Sequence, residues 1–287
     1  MRLSVIIACF NAADTIAVQL EELATQDWSE PWEVIVSDNG STDQSRAIIE
    51  QYQEKLPNLR VVDSSGRRGA AYARNVGVLA ATGEAIAFCD ADDEVAPGWL
   101  AAMGEALSVH DFVTGRCEYE KLNEPWVIKS MYSLPSKGLR EYKYPPYLPY
   151  AATCNLGIKL SLHKAIGGFD EAFLRVQDLD YCWRVQLAGT KLHVAPDALV
   201  HYRLRDNLAG IARISRISGE NHVLLYKKYR PLGMPELSWK SGVKEWLVLF
   251  KRFPQVRLKE GRARWVRRFN WRLGRLKGCM KHRVLAL

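Results

Sequence analysis

The feature that most constrains the fold is a regular alternation of short apolar runs with longer amphipathic ones over the first 120 residues. Short apolar runs bounded by polar turns predict strands, and the segments between them are long enough for helices that connect parallel strands. The sequence therefore predicts a doubly wound α/β domain with a mostly parallel sheet and flanking helices. The predicted strands are 3–10, 32–37, 59–63, 84–89 and 112–118, and the predicted helices are 15–26, 43–55, 69–81 and 98–109.

A second block of predicted elements follows residue 160. It contains helices at 161–166 and 178–187 and strands at 191–195 and 198–202. The stretch 121–150 is predicted to be a loop, because tyrosines and prolines are interleaved in it. Its aromatic side chains suit either a platform on which a sugar stacks or a lid packed on the core. The tyrosines are Tyr142, Tyr144, Tyr147 and Tyr150.

Three carboxylates follow the apolar run 84–89 within four residues. Because side chains alternate across a strand, Asp90 and Asp92 point to the same side of its carboxyl end, about 6 to 7 Å apart, where like charges repel unless a cation lies between them. Oxygen ligands of this kind suit Mg²⁺ or Mn²⁺, and Mg²⁺ is usually shared with substrate phosphates. A solvated turn is the alternative interpretation, since aspartate is common where strands end.

Size and composition exclude several classes of protein. A chain of 287 residues with 48% hydrophobic and 10% aromatic content can bury a full core and is not disordered. The first apolar run is too short for a secretory leader, and no window approaches the ~20 apolar residues of a membrane-spanning helix. Six scattered cysteines without a C-x-x-C pair favour a reducing, cytoplasmic compartment.

The basic charge of the chain belongs to its C-terminal segment, because residues 257–287 hold eleven Lys or Arg and one acid, Glu260. Residues 264–281 predict a basic amphipathic helix, although Gly274 and Gly278 weaken that prediction. Such a helix can lie on an anionic membrane surface; it can also dock its apolar face on the protein body with its arginines in solvent, or bind nucleic acid, which we do not expect. The apolar positions are Trp265, Val266, Phe269, Leu273, Leu276 and Met280, and the arginines are Arg264, Arg267, Arg268, Arg272 and Arg275.

Seven short motifs, taken in order, make the chain resemble the family-two glycosyltransferases, which are inverting enzymes of the GT-A fold. Each motif is weak alone, but five or more in this order are strongly specific, and the resemblance covers roughly residues 3–230. It implies a GT-A fold, a nucleotide-sugar donor and a divalent metal. The motifs are SVIIACFN at 4–11, VIVSDNGSTD at 34–43, ARN at 73–75, DAD at 90–92, GGFDE at 167–171, QDLD at 177–180 and VHY at 200–202.

Donor-binding roles follow from this resemblance, position by position. Ala8, Phe10 and Asn11 would border the base and ribose of the nucleotide. Asp38 would accept a hydrogen bond from the base, most often uracil in this family, and Arg74 would lie near the diphosphate, where a guanidinium fork suits phosphate oxygens. Each position also has a structural alternative, since Asp38 suits a strand-to-helix turn and Arg74 an exposed helix position.

The resemblance also implies the catalytic centre. Asp90, which would also contact the ribose, and Asp92 and His201 would hold Mn²⁺ or Mg²⁺, which neutralises the departing diphosphate. Asp178 matches the general base that takes the proton from an acceptor hydroxyl attacking opposite the leaving group. A helix N-cap for Asp178 and a structural histidine are the alternatives. The family usually has Glu where this chain has Gln177.

The implied function is transfer from a nucleotide sugar, most often a UDP sugar, to a glycan or lipid-linked acceptor of the kind found in cell-envelope polysaccharides. The predicted domain spans 1–230, with a nucleotide-binding half (1–120) and an acceptor-binding half (121–230), and the basic extension spans 231–287. That extension would hold the protein at the cytoplasmic face of a membrane. Two alternatives stay open: a nucleotide-sugar-binding protein without turnover, and a sugar nucleotidyltransferase, which the absence of a glycine-rich loop after the first strand disfavours.

Overall fold

The computed structural model describes residues 1–131, 134, 138–142 and 144–286. Its first half alternates strands with helices as predicted, and the first four strands begin and end within one residue of their predicted limits. These elements are β1 (Leu3–Cys9), α1 (Ile16–Ala24), β2 (Trp32–Asp38), α2 (Ser45–Tyr52), β3 (Leu59–Asp63), α3 (Ala70–Leu79) and β4 (Ala85–Asp90).

The second half departs from the prediction at several elements, among them the helix at Leu208–Tyr229 and the short strand at Glu94–Val95, which were not predicted. The predicted strands 191–195 and 198–202 form one strand, the predicted loop contains a short helix, and a strand at Leu156–Lys159 was not predicted. The elements are β5 (Glu94–Val95), α4 (Trp99–Val109), β6 (Phe112–Glu118), α5 (Pro125–Lys129), β7 (Leu156–Lys159), α6 (Leu160–Ala165), α7 (Gln177–Leu187), β8 (His193–His201), α8 (Leu208–Tyr229), α9 (Trp239–Lys251) and α10 (Lys259–His282).

The described strands form one sheet in the order β3-β2-β1-β4-β7-β6-β8-β5. Strands β1 to β4 pair in parallel, as do β6 and β8, whereas β7 runs antiparallel to both of its neighbours. The mostly parallel sheet with flanking helices confirms the predicted fold class. Because the first four strands all run in the same direction, their carboxyl ends lie at one edge of the sheet.

Helices cover both faces of the sheet, which explains why its central strands are apolar on both sides. Val5 and Ile7 of β1 pack into a cluster that includes Trp99 of α4. Ile6, between them, points to the opposite face and joins a second cluster with Phe88 and Tyr181. Fixed by packing on two faces, the strand ends form a rigid support for the turns that follow them.

The loop predicted at 121–150 is tied to the core through its aromatic side chains. Tyr142 packs edge-on against Trp183 at 4.9 Å between ring centroids and contacts Tyr144 and Tyr150 in the same way. These contacts favour the lid interpretation over the sugar platform, although Tyr147 is 69% exposed. Residues 132, 133, 135–137 and 143 of the predicted loop lie outside the described residues.

The C-terminal helix α10 forms as predicted, but it packs with a different face. It lies along α8 at a glycine contact, where a methyl group on Gly274 would overlap the carbonyl oxygen of Arg216 and one on Gly219 would overlap that of Trp271. The arginines are not simply solvated, since Arg275 is buried over the ring of Trp271. Within the described part of the chain, no helix combines the length and apolar character needed to cross a bilayer.

Candidate active site

A cleft of about 480 Å³ opens beyond the carboxyl ends of β1 and β4. The strand register explains its position, because Ala8 of β1 pairs with Asp90 of β4 and the next residue, Cys9, pairs with Asp38 of β2. Of the nine site residues predicted from the sequence, seven line this cleft and two, Asp38 and His201, do not. The seven are Ala8, Phe10, Asn11, Arg74, Asp90, Asp92 and Asp178.

The turn after β1 is fastened to the turn after β2. Asn11, with a positive φ of 47°, accepts a hydrogen bond from the Thr42 backbone N–H at 2.8 Å, and its own N–H donates to Ser41. Asp38 is buried at the base of the same turn, where its carboxylate accepts from the Ser41 backbone N–H at 3.1 Å. Phe10 remains 44% exposed at the cleft, and the Arg68 guanidinium lies over its ring at 4.1 Å from the centroid, so an aromatic ring and a cation lie together at this rim.

Asn39, a residue that sequence reasoning did not single out, holds the loop that enters α3. Its side-chain amide donates to the carbonyls of Ser64 and Arg67, and its oxygen accepts from the Gly69 backbone N–H at 2.9 Å. Gly69 has a φ of 139°, a conformation that residues with a Cβ rarely adopt. The buried amide thus fixes where α3 begins and, one turn later, where Arg74 lies.

Arg74 is the buried cation of the cleft, with only 3% of its surface exposed. Its Nη2 donates to Asp90 at 2.6 Å, while its Nε and Nη1 have no hydrogen-bond partner among the described residues. Buried guanidinium N–H groups without partners are costly, and an anion in the cleft would satisfy them. Arg74 is therefore not the exposed helix residue of the alternative interpretation.

The acidic turn after β4 concentrates negative charge in a largely buried space. Burial and the neighbouring Asp90 carboxylate raise the pKa of Asp92, and burial together with Asp92 and Asp90 raises the pKa of Asp93 well above its usual value. Arg205 contacts Asp92 at 2.9 Å, and the Arg203 backbone N–H donates to Asp93, whose Oδ2 has no partner among the described residues. Crowded carboxylates with a free buried oxygen fit a divalent cation.

The three predicted metal ligands are not grouped together in the structure. Asp90 and Asp92 line the cleft, whereas the Nδ1 of His201 lies 2.6 Å from a carboxylate oxygen of Glu118. Asp90, Asp93 and Cys154 instead place one potential ligand atom each within 4.8 Å of the other two. The sequence pattern marked Asp93 only as the third acid of the turn, and Cys154, which comes from a distant segment, carried no local signal.

Asp178 lies in the first turn of α7 and lines the same cleft as Asp90 and Asp92. The preceding Val176 has a positive φ of 60°, which sets the direction in which the helix enters. Asp178 accepts a hydrogen bond from the adjacent Leu179 backbone N–H at 2.9 Å, and the side-chain oxygen of the buried Gln177 has no partner among the described residues. Two side chains with unused acceptor capacity therefore face the cleft at this helix start.

The glycine turn at 167–171 is clamped to α3 by Asn75. This amide donates to the Phe169 carbonyl and to Glu171, and it accepts from the Phe169 backbone N–H at 2.8 Å. A methyl group on Gly168 would meet the Asn75 oxygen at 2.7 Å, so the turn needs glycine there. The stretch Ala73-Arg74-Asn75 thus provides both the buried cation and the clamp for a motif nearly 100 residues away.

The wall of the cleft on the side of Asp178 combines cations with apolar side chains. Arg175 and, from α10, Arg267 line it together with Met131, Ile211 and Ile214. Arg267 donates to the Ser130 carbonyl at 2.8 Å, so α10 is attached to the rim of the cleft. Sequence reasoning placed Arg267 on a solvated or membrane-facing surface, because helical periodicity gives no information on which distant segment a helix packs against.

The fold and the cleft define the class of protein: the chain has the GT-A fold. Mannosyltransferase PcManGT from Pyrobaculum calidifontis, solved with GDP-Man and Mn²⁺, superposes with a TM-score of 0.70 at 18% identity, covering 97% of this chain and 87% of that one. TarS 1–349 of Staphylococcus aureus, solved with UDP, gives a TM-score of 0.58 at 19% identity, covering 100% of this chain and 93% of that one.

The chain belongs to glycosyl transferase family 2, whose sequence profile matches residues 4–167. The uncharacterized glycosyltransferase YibD of Escherichia coli is 36% identical over 143 residues, which is 48% of this chain but only 40% of YibD. The amylovoran biosynthesis glycosyltransferase AmsB of Erwinia amylovora is 28% identical over 215 residues, covering 70% of this chain and 69% of AmsB. The resemblance found in the sequence motifs is thereby confirmed.

Proposed function

We propose that this protein is an inverting glycosyltransferase that uses a nucleotide-sugar donor. The observation that carries the proposal is Arg74, a buried guanidinium whose Nε and Nη1 have no partner among the described residues, in the same cleft as the carboxylates of Asp90 and Asp92. A nucleoside diphosphate bound together with a divalent cation would satisfy both groups. Its phosphate oxygens would accept hydrogen bonds from Arg74, and the cation would neutralise the carboxylates. Phe10, which is 44% exposed at the cleft, is the proposed contact of the base.

Mn²⁺ or Mg²⁺ is the proposed cofactor, held by Asp90 and Asp92 with Asp93 beside them. When bound, the cation stabilises the negative charge on the departing diphosphate. Arg205, now paired with Asp92, is 54% exposed and is free to exchange that carboxylate for a phosphate oxygen. His201 stays a proposed ligand only through its second ring nitrogen, because Nδ1 contacts Glu118.

Asp178 is the proposed general base. It lines the same cleft as the acidic turn, and in the proposed reaction it takes the proton from an acceptor hydroxyl that attacks the anomeric carbon from the side opposite the leaving group, with inversion. Gln177 beside it leaves one charge fewer than the glutamate usual in the family.

A UDP sugar is the proposed donor and a glycan or lipid-linked glycan the proposed acceptor. TarS is named as a poly(ribitol-phosphate) β-N-acetylglucosaminyltransferase and has been solved with UDP-GlcNAc, and AmsB is named for polysaccharide biosynthesis. Arg175 and Arg267 next to apolar Met131 and Ile211 suit an acceptor that carries both an anionic and a lipid portion. Such an acceptor places the protein at the cytoplasmic face of a membrane, held there through its basic C-terminal segment.

The test is release of nucleoside diphosphate from a panel of UDP and GDP sugars with Mn²⁺, Mg²⁺ or EDTA. We expect slow, metal-dependent release from one donor by the unaltered protein and none by Asp92→Asn. Asp111→Asn, at an exposed position outside the cleft, serves as the charge-matched control. Donor binding without release under any metal or acceptor contradicts transfer and leaves a binding protein; absence of binding contradicts the nucleotide-sugar proposal itself.

A further inference from the structure

Helix α9 presents an apolar face to solvent. Trp239, Val243, Leu247 and Phe250 lie on one side of it at helical spacing, and they are 58%, 48%, 66% and 56% exposed. We name these four side chains the α9 outer face. Phe253 and Leu258, in the segment that follows, are 54% and 62% exposed and extend the same apolar stretch of chain. So many large exposed apolar side chains in one short segment indicate a surface that binds something.

The buried side of α9 holds the helix against α10. Leu249 is 1% exposed, and its carbonyl accepts a hydrogen bond from the Trp265 indole at 3.2 Å. Trp246 packs edge-on against Phe269 at 5.7 Å, and Glu245 pairs with Arg272 of α10. The helix is therefore anchored to α10 through these residues, and although Phe250 stacks on Trp246 at 6.0 Å between ring centroids, all four side chains of the α9 outer face remain about half exposed or more.

Cations flank the outer face. At 100° per residue, Lys240, Lys244 and Lys251 fall beside it on the side away from Glu245. Between 239 and 259 there are six Lys or Arg and one acid, and that acid is already paired with Arg272. Lys240, Lys244 and Lys251 make no ion pair with the described residues, and an apolar strip bordered by such cations is the pattern of a helix that lies in the plane of an anionic membrane.

We propose that the α9 outer face inserts into the interfacial region of an anionic lipid bilayer, with the flanking lysines on the headgroups. The inference rests on the membrane association proposed above and assigns it to α9, whereas the sequence pattern assigned it to α10. In the structure, the aromatic residues Trp265 and Phe269 of α10 are covered by α9 and its following segment. Because α10 reaches the cleft through Arg267, a membrane-bound α9 would hold the acceptor side of the cleft close to the lipid.

Two other partners fit the surface less well. A symmetric dimer through the outer face would bring the same lysine row of each copy to one interface, where like charges repel. Nucleic acid would pair with the cations and stack on Trp239 or Phe250, but it would gain nothing from Val243 and Leu247. A bilayer uses both the aliphatic and the cationic parts of the surface.

The experiment is flotation of the full chain with vesicles of phosphatidylcholine alone or mixed with phosphatidylglycerol. We expect binding to the anionic vesicles, weakened by salt, and at least about tenfold weaker binding for Leu247→Ser/Phe250→Ser. The matched control is Leu79→Ser/Val109→Ser, which removes two side chains that are 83% and 75% exposed on other helices and should bind like the unaltered protein.

Four results would overturn the assignment. If Leu276→Ser/Met280→Ser loses vesicle binding and Leu247→Ser/Phe250→Ser does not, the protein binds the membrane through α10 and not through α9. If the protein binds neither kind of vesicle but still transfers sugar to a soluble acceptor, the membrane association is contradicted and the proposed glycosyltransferase activity is not. A dimer seen in sedimentation that Leu247→Ser/Phe250→Ser dissociates would identify a second copy of the chain as the partner. An oligonucleotide that competes with the vesicles, and whose binding the same variant weakens, would identify nucleic acid as the partner.

Discussion

The two walls of the cleft are built in different ways. On the donor wall, the turns after β1, β2 and β4 sit on packed parallel strands and are fastened by short side-chain-to-backbone bonds such as Asn11 to Thr42 and Asn39 to Gly69. The other wall is assembled from Met131, Arg175 and Arg267, which belong to segments far apart in the chain. The wall that we propose for the nucleotide is therefore a property of the sheet, whereas the wall that we propose for the acceptor depends on how the C-terminal helices dock.

The largest expected effect lies on the second wall. Asp178→Asn removes the proposed base and should lower kcat by about 10² to 10⁴-fold while UDP binding stays unchanged, because proton transfer is lost and the donor wall is intact. Single-turnover transfer and UDP titration measure the two quantities separately. Asp111→Asn is the control. A parallel loss of UDP binding would show that the two walls do not act independently.

Arg74→Lys tests the donor wall in the same manner. Lysine keeps the charge beside Asp90 but loses the planar fork, so we expect about tenfold to hundredfold weaker UDP binding. Arg267→Ala, on the opposite wall, should leave the UDP Kd unchanged and raise the KM for the acceptor. Calorimetric titration with UDP and the metal measures the first effect. Equal losses in both variants would contradict the division into donor and acceptor walls.

The same division separates what the sequence predicted from what it did not. The donor wall follows from local patterns, because apolar strands, polar turns and the order of strands place Ala8, Asn11 and Asp90 at one edge. Cys154 and Arg267 reach the cleft through tertiary packing, and the pairing of His201 with Glu118 depends on how β8 lies beside β6. Such contacts have no signature in a window of residues, so the metal set and the acceptor wall required the structure.

Gly274→Ala distinguishes helix propensity from packing in the C-terminal layer. Propensity alone predicts that alanine stabilises α10 by about 1 kcal/mol. Packing predicts the opposite, a loss of about 2 to 3 kcal/mol, because the added methyl overlaps the Arg216 carbonyl on α8. Urea unfolding gives the sign directly, with Met280→Ala, at a position of α10 that is 76% exposed, as a control expected within about 0.5 kcal/mol of the unaltered protein. A stabilised Gly274→Ala would mean that α8 and α10 are not held at this glycine contact.

The smallest expected effect concerns the sheet edge opposite the cleft, where Glu33 ties β2 to β1 and to the turn before β4. Burial raises the pKa of this carboxyl, but hydrogen bonds from Ser4, Thr82 and Arg60 outweigh burial and lower the pKa from 4.5 to about 2. A carboxylate with a depressed pKa stabilises the folded state above its unfolded pKa and loses that contribution as the pH falls towards its folded value.

Between pH 4.5 and pH 3, Glu33 should therefore account for about 2 kcal/mol of lost stability. Glu33→Gln should flatten this part of the stability curve, measured by urea unfolding at stepped pH, whereas the exposed Glu50→Gln should leave its slope as it is. An unchanged slope in Glu33→Gln would place the acid sensitivity elsewhere. A flattened slope would show that the strands supporting the donor wall are locked at both ends, by Glu33 at one edge and by Asn11 and Asn39 at the other.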